Sequence, residues 1–272
     1  MGIPVRAGGV ERVTYERLIY ERVGDVAVIR LNDPDTLNAM TDFMGSELLN
    51  ALHRAETEAR AVMLSSVGRA FCSGANLADA TFDLDDPQRD VGVGVHGIFN
   101  PLLLDMRSSR LPIVTAVKGA AAGVGCGLAC SGDMIVAGES AFFFPAFRHV
   151  GLSPDGGISY LLTKAIGRVR ATELMLLGTK LPAAQALEWG LINRVVPDEA
   201  VEEEALKLAT ALAAGPQSLA SIKDAAWAAC DLPLAEQLQH ERKLQRASGM
   251  TADFVEGVAA YRDRRPARFT GS

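Results

Sequence analysis

The spacing of hydrophobic and polar positions changes period repeatedly between residue 26 and about residue 196. VAVIRLN at 26–32, AVMLSSV at 61–67, IVTAVKG at 113–119 and MIVAGES at 134–140 are short apolar runs rich in β-branched residues, the pattern of buried strands. AFFFPAF at 141–147 predicts one more short strand. Between these runs the pattern lengthens to a helical period. It predicts helices over 41–58, where Leu48, Leu49 and Leu52 form one face, and over 92–108, 123–131, 157–166, 168–177, 183–189 and 198–213. Strand and helix alternate, so the core is predicted to be α/β. About the last 60 residues carry only helical pattern, interrupted at Pro216 and Pro233, and close on the basic run RDRRPARF. Residues 1–14 predict a loose leader. Residues 78–95 are acidic, with Pro87 and aspartates at 83, 85 and 86, and predict a mobile surface loop able to cover a site.

With 272 residues, 49% of them hydrophobic, the chain can build one large core with a small appendage. A net charge of −6 argues against a nucleic-acid partner, although a local basic patch could still hold an anionic substrate. Cys72, Cys126, Cys130 and Cys230 form no CxxC pair, and buried free thiols in a reducing cytoplasm are the expectation. No signal-like apolar region and no run of about 18 uncharged apolar residues is present, so neither export nor a membrane span is expected. His53, His96, His149 and His240 are scattered and predict no metal site.

Three segments carry the chemistry: GRAFCSGANL at 68–77, GAAAGVGCGLACSGD at 119–133 and FRHVGLSPDGGISYLL at 147–162. Each is a strand or loop that breaks into glycines and opens a helix. Backbone amides at such junctions point outward and can hold a developing negative charge. Two of them facing each other could clamp one oxygen of a reacting carbonyl. The third segment adds a lone carboxylate, Asp155, between a proline and two glycines. Its ordinary role there would be to shape a turn, or to cap the helix opening at Gly156. Phe142, Phe143, Phe144 and Phe147 lie close upstream, and apolar surroundings would raise its pKa and make it a better base or acid near neutrality. The glycines of GAAAGVGCG do not follow the dinucleotide order G-x-G-x-x-G. Ser73 and Cys72 lie outside any G-x-S-x-G elbow, so a nucleophilic hydrolase is not supported.

These residues also carry a resemblance. LNDPDTLNAM, AFCSGANL, NPLLLDMRSSRLPIVTAVKGAAAGVGCGLACSGD, GLSPDGGISYLL and LPAAQALEWGLINRVVP at 181–197 together resemble the crotonase superfamily, the enoyl-CoA hydratase/isomerase family, over about residues 15–269. The resemblance implies an α/β fold: a crotonase-like spiral of ββα turns over residues 1–200 that carries an acyl-CoA site. It also implies a C-terminal α-helical region over 201–272 that packs in homotrimers or hexamers. The first oxyanion amide would be that of Ala75 and the second that of Val124, both binding the thioester oxygen as an enolate forms. Thr36 and Leu37, with Asp35, and the run Gly74, Ala75, Asn76 and Leu77 would line the coenzyme A groove. Gly123 and Phe147 join that implied binding set, and Arg264 falls where the family often has a CoA-contacting lysine. No tightly bound cofactor is implied. Coenzyme A enters as part of an acyl-CoA thioester substrate, as in fatty acid metabolism.

Two departures decide the expected reaction. Hydratases of this family hold water with two glutamates, and those positions are Gly127 and Phe147 here. Adding water across a double bond needs a base for the water and an acid for C2, so hydration is not favoured. Asp155 falls instead where isomerases of the family, including the ring-opening isomerases of phenylacetate breakdown, place their working carboxylate. The expectation is an isomerase converting 3-enoyl-CoA to 2-enoyl-CoA. The alternatives are a hydratase whose water is held from the acidic loop, by Asp79 or Asp83, and an acyl-CoA-binding protein without turnover. A third departure is Asp35, which stands where a basic residue commonly sits.

Overall fold

The structure is a computed structural model that describes residues 10–77 and 83–272. Asp79 therefore lies outside the described residues, as do positions 1–9 of the expected leader. Residues 10–14 of that leader are a strand, β1 (Val10–Thr14), because they pair antiparallel with β2 (Leu18–Val23). The other strands of the main sheet are β3 (Val26–Leu31), β4 (Ala61–Ser66), β5 (Ile113–Val117), β7 (Met134–Gly138) and β10 (Arg194–Val196). Their spatial order is β1-β2-β3-β4-β5-β7-β10, and every pairing from β3 onward is parallel. The central strands are buried on both faces, which is why they read as continuous apolar runs without alternation.

A second sheet is built from β6 (Ala120–Ala122), β8 (Phe142–Phe144) and β9 (Leu181–Pro182). Two single bridges extend it, Cys72 to Ala121 and Met40 to Ala75. The chain thus repeats one unit: a main-sheet strand, a short extended piece on the second sheet, then a helix. The units run β3, Met40, α1 (Asp42–Glu58); β4, Cys72 to Ala75, α2 (Asn100–Ser108); β5, β6, α3 (Val124–Cys130); and β7, β8, α4 (Ile158–Leu177). This is the expected ββα spiral.

Three sequence expectations change. The strand expected over 141–147 stops at Phe144, because Pro145 ends it and Ala146–Val150 turn into a 3-10 helix. Residues 95–99 form a π-helical turn at the start of the helix expected over 92–108. The separate helices 157–166 and 168–177 abut as α4, which breaks at Gly167.

One face of the main sheet packs on α1, α3 and α4 through Ile29, Leu64, Leu48, Leu52, Leu128, Leu162 and their neighbours. The other face, with Val28, Met63, Val114 and Val136, is covered by Val201, Ala205 and Ala209 of α6 (Val201–Ala213). The boundary drawn at residue 200 therefore falls just before a helix that belongs to the core. After α5 (Ala183–Glu188) and α6, the chain ends in α7 (Leu219–Ala228), α8 (Leu234–Ser248) and α9 (Ala252–Asp263). Lys223 fastens α7 to the core. Its buried ammonium meets Asp133 at 2.9 Å and donates to the carbonyls of Met106 and Leu111 at 2.8 and 3.2 Å. Among the described residues no helix is long and apolar enough to cross a membrane.

Candidate active site

The spiral places the three chemistry-bearing segments at equivalent points of successive units, just beyond each short piece of the second sheet. Ala75 lies there in one unit, Val124 in the next and Asp155 in the one after. The first two junctions touch. Gly74 and Gly123 both have positive φ, +108° and +50°, and a Cβ on Gly123 would sit 3.5 Å from the Cα of Gly74. Both φ values favour glycine, and a Cβ on Gly74 would also press to 3.2 Å from the Ala122 carbonyl oxygen. Ala75 and Val124, each the next residue in its segment, are thereby brought side by side.

Hydrogen-bond pattern explains why their amides are free to act. In the Met40 bridge, the Met40 amide donates to the Gly74 carbonyl at 2.7 Å and the Asn76 amide donates to the Met40 carbonyl at 2.9 Å. A parallel bridge uses the groups that flank its centre, so the N–H of Ala75 turns away from Met40. Ala75 itself is exposed. Val124 is the first residue of α3, where a helix has no internal acceptor for its amides. The structure thus brings Gly74 and Gly123 into contact, with Ala75 and Val124 the next residue in each segment.

Asp155 belongs to the same site through its neighbour. A Cβ on Gly156 would lie 3.1 Å from the Cα of Val124, so the 155–157 turn is pressed against the start of α3. The turn itself is made by backbone: the Asp155 carbonyl accepts from the Ile158 amide at 3.2 Å. The side chain caps nothing; α4 has Gly157 at its N-cap and no side-chain cap. Asp155 Oδ1 is buried and has no hydrogen-bond partner among the described residues. Burial alone pushes its pKa above the ordinary aspartate value of 3.8. A carboxylate with a raised pKa and an uncommitted oxygen is built for proton transfer, since a structural aspartate spends its oxygens on partners.

Gly127 is closed to any side chain, because a Cβ there would run into the Gly156 carbonyl. Phe147 is buried in the core cluster, and its carbonyl accepts from the Leu152 amide at 3.0 Å. Phe143 is core, whereas Phe142 and Phe144 face the Lys180 ammonium, 4.3 and 5.9 Å from their ring centres. The aromatic run therefore divides between the core and a cation-covered face.

Thr36 and Leu37 end a 3-10 turn, Pro34–Thr36, and are tied to the loop that carries Gly74 and Ala75. Ser73 donates from its amide to the Leu37 carbonyl at 3.0 Å and from its hydroxyl to the Thr36 carbonyl at 3.1 Å. Asn76 is half-buried and Leu77 exposed beyond them. The sequence reading missed the strut beneath this pair of loops. Asn38 is fully buried at φ +55°; its Oδ1 accepts from the Asp33 amide, and its Nδ2 donates to the Val67 and Ala70 carbonyls, each at 2.8 or 2.9 Å. The one signal for it was an Asn after Leu in a turn-rich stretch. Arg264 is exposed at the left-handed C-cap of α9, and the structure does not bring it to these loops by any hydrogen bond or ion pair among the described residues. Asp83 is exposed, and its carboxylate accepts from the Asp85 amide at 2.9 Å, shaping a turn.

Comparison with known proteins agrees with this fold. The family model for enoyl-CoA hydratase/isomerase matches residues 21–272. The chain belongs to the enoyl-CoA hydratase/isomerase family. Within that family it is 40% identical over 263 residues to a probable enoyl-CoA hydratase of Rhodobacter capsulatus, covering 95% of this chain and 100% of that one. It is 41% identical to the 1,2-epoxyphenylacetyl-CoA isomerase of Escherichia coli over 90% of this chain and 95% of the relative. Among solved structures, enoyl-CoA hydratase subunit I of Geobacillus kaustophilus superposes with a TM-score of 0.87 at 34% identity, covering 95% of this chain and 99% of that one. Similarity thus establishes an enzyme family and leaves hydratase and isomerase names side by side.

Proposed function

We propose that the chain is an acyl-CoA isomerase that moves a double bond from C3–C4 to C2–C3 of an enoyl thioester. The observation that carries this reading is Asp155, whose buried Oδ1 has no hydrogen-bond partner among the described residues and lies in the turn packed against the Val124 junction. The thioester oxygen sits between the Ala75 and Val124 amides, and the coenzyme A portion lies along Thr36, Leu37, Gly74, Asn76 and Leu77. Asp155 takes a proton from C2. The electron pair of that C–H bond becomes the C1–C2 double bond of the enolate, and the negative charge moves to the thioester oxygen. The protonated Asp155 then returns the proton to C4, the C3–C4 pair makes the new C–H bond, and the carbonyl reforms with the double bond at C2–C3. Nothing else is consumed. One oxyanion donor is worth about 3 kcal/mol of barrier, and one positioned acid/base group about 10²–10⁴-fold in rate.

Against hydration stand Gly127, whose side-chain space is filled by backbone, and Phe147, buried in the core. The similarity to the 1,2-epoxyphenylacetyl-CoA isomerase supports the proposal; the hydratase names favour the alternative. Purified protein offered 2-enoyl-CoA and 3-enoyl-CoA separates the two. A double-bond shift faster than hydration is the expected result, hydration faster than the shift would replace this reading, and binding without turnover would leave a carrier. Leu234, Leu238, Phe254, Val255 and Tyr261 are exposed on α8 and α9, which supports assembly through these helices. A trimer or a multiple of three in sedimentation is the expected state.

A further inference from the structure

Cys72 joins the two segments that lead to Ala75 and Val124. It bridges to Ala121: its amide donates to the Ala120 carbonyl at 3.0 Å, and its carbonyl accepts from the Ala122 amide at 2.9 Å. Ala75 lies three residues beyond Cys72, and Val124 lies three residues beyond Ala121. Two arms of equal length therefore leave one bridge, and the gap between their amides depends on how far the arms diverge.

The Cys72 side chain touches both arms. Its Sγ lies 3.9 Å from the Gly74 carbonyl oxygen on one. On the other, a Cβ on Gly125 would stand 2.6 Å from both Cβ and Sγ of Cys72 and 2.7 Å from its carbonyl oxygen, so the first turn of α3 rests directly on this residue. Gly74 precedes Ala75, and Gly125 follows Val124. The arms meet again at Gly74 and Gly123, which have no side chains to absorb a displacement. Cys72 is fully buried, and burial pushes its thiol up to about 11. At neutral pH it is thus an uncharged thiol, unsuited to nucleophilic attack and weak as a hydrogen-bond donor. What it supplies to the junction is volume, and a packed core feels a change of even one methylene.

We propose, on the reading that the Ala75 and Val124 amides hold the thioester oxygen, that Cys72 is a positioning residue whose side-chain volume sets the separation of those amides. Cys72→Ser nearly keeps the volume, Cys72→Ala empties the fork, and Cys72→Val adds a branch to it. The readout is the infrared stretch of the thioester carbonyl of bound butanoyl-CoA, isolated as the difference between ester carrying carbon-13 at C1 and unlabelled ester. Hydrogen bonds from the amides lower this frequency, and a saturated ester has no double bond to move. The parent protein and Cys72→Ser should show the same downward shift from the free ester. Cys72→Val should lose about half of that shift or more, the share of one of two donors. Its kcat on a 3-enoyl-CoA should fall by about tenfold or more, since a misplacement of about 1 Å can cost roughly 10²-fold. Its Kd for butanoyl-CoA should change by less than about threefold, because ground-state binding is spread along the coenzyme A groove. Cys72→Ala should also lose part of the shift, and it decides the matter where Cys72→Val does not fold. A residue that only packs the core would lower Tm and leave the bound-carbonyl frequency at the parent value. That result for Cys72→Ala, and for Cys72→Val where it folds, overturns the proposal and leaves the amide assignment in place. A parent protein that binds butanoyl-CoA without any carbonyl shift overturns both.

Discussion

The Cα of Gly127 faces the carbonyl of Gly156 so closely that a Cβ on Gly127 would collide with that oxygen and stand 2.9 Å from its carbon. The position where hydratases of the family carry a glutamate is thus filled by the backbone that leads out of Asp155. In this chain the Asp155 turn lies against α3 and leaves no room for a side chain at position 127.

Gly127→Ala is therefore expected to destabilise. The contact is backbone against backbone inside a buried helix, so the overpacking cost should reach about 3 kcal/mol, visible as a drop of several degrees in Tm. Gly127→Glu should be worse folded still and should gain no hydratase activity toward crotonyl-CoA. A stable Gly127→Glu protein with raised hydration would show that the turn can retreat.

The oxyanion assignment concerns backbone, so only loss of an amide should matter. Val124 is at the first position of α3, where proline is well tolerated by helix geometry. Val124→Pro removes the donor and is expected to lower kcat by about 10²-fold with the fold retained. Ala75→Ser keeps its amide and should retain much of the parent rate, whereas Ala75→Pro should lose it. Circular dichroism checks the folds and the isomerase assay the rates; equal rates for Ala75→Ser and Ala75→Pro would exclude the site.

The large parallel strands were legible because they are buried on both faces and read as unbroken apolar runs. β2, β6, β9 and β10 were not. LIYERV in β2 mixes Glu21 and Arg22 with apolar residues, and the buried Glu21 is met by Arg30 at 2.6 Å across the sheet. Ala120–Ala122 has little strand propensity and is extended because it pairs with Phe142–Phe144. The site was legible where it depends on glycine: Gly74, Gly123 and Gly156 each mark a close approach. Asn38 was not, because its three hydrogen bonds reach residues 5, 29 and 32 positions away. Nor could the sequence tell whether Asp155 caps a helix or keeps its carboxylate free, since the same Pro-Asp-Gly fits both.

Asn38 holds the loop of Thr36 and Leu37 against residues 67–70 from beneath. Asn38→Ala takes the partner from the part-buried Asp33 amide and Val67 carbonyl, at about 1–3 kcal/mol for each group that water cannot reach, while the Ala70 carbonyl keeps the Ser66 hydroxyl at 3.0 Å. Tm should fall by several degrees. In the folded fraction, KM for the CoA ester should rise while kcat changes by less than about threefold, because the amides of Ala75 and Val124 and the Asp155 carboxylate are held by other contacts. Steady-state kinetics below the melting range tests this, and a loss confined to kcat would contradict it.

The raised pKa of Asp155 fixes the direction of the acid limb in the rate profile. The base must be ionised in the free enzyme, so kcat/KM should fall as pH drops through the pKa of Asp155, with a midpoint above the ordinary 3.8. The Asp155→Glu protein, if it retains activity, should keep a limb of the same sign. A profile flat from neutrality to below pH 4 would assign the base elsewhere.

Asp155→Asn separates chemistry from structure most sharply. The folded protein holds the Asp155 proton more tightly than the unfolded chain does, because burial without a partner disfavours the charge. This group therefore favours folding below pH 3.8, and that contribution is lost as pH rises through the raised value. At neutral pH the ionised carboxylate opposes folding, and asparagine removes the opposition while keeping the side chain's size. The Asn variant should melt at or above the parent temperature at neutral pH, with the difference closing as pH falls toward 3.8. A capping or turn-forming aspartate would behave in the opposite way and lose stability on substitution. The same variant cannot accept a proton, so its isomerase rate should fall by about 10²-fold or more while saturated acyl-CoA binds as before. Near-parent isomerisation by a well-folded Asn variant would remove Asp155 from the mechanism, whatever its stability.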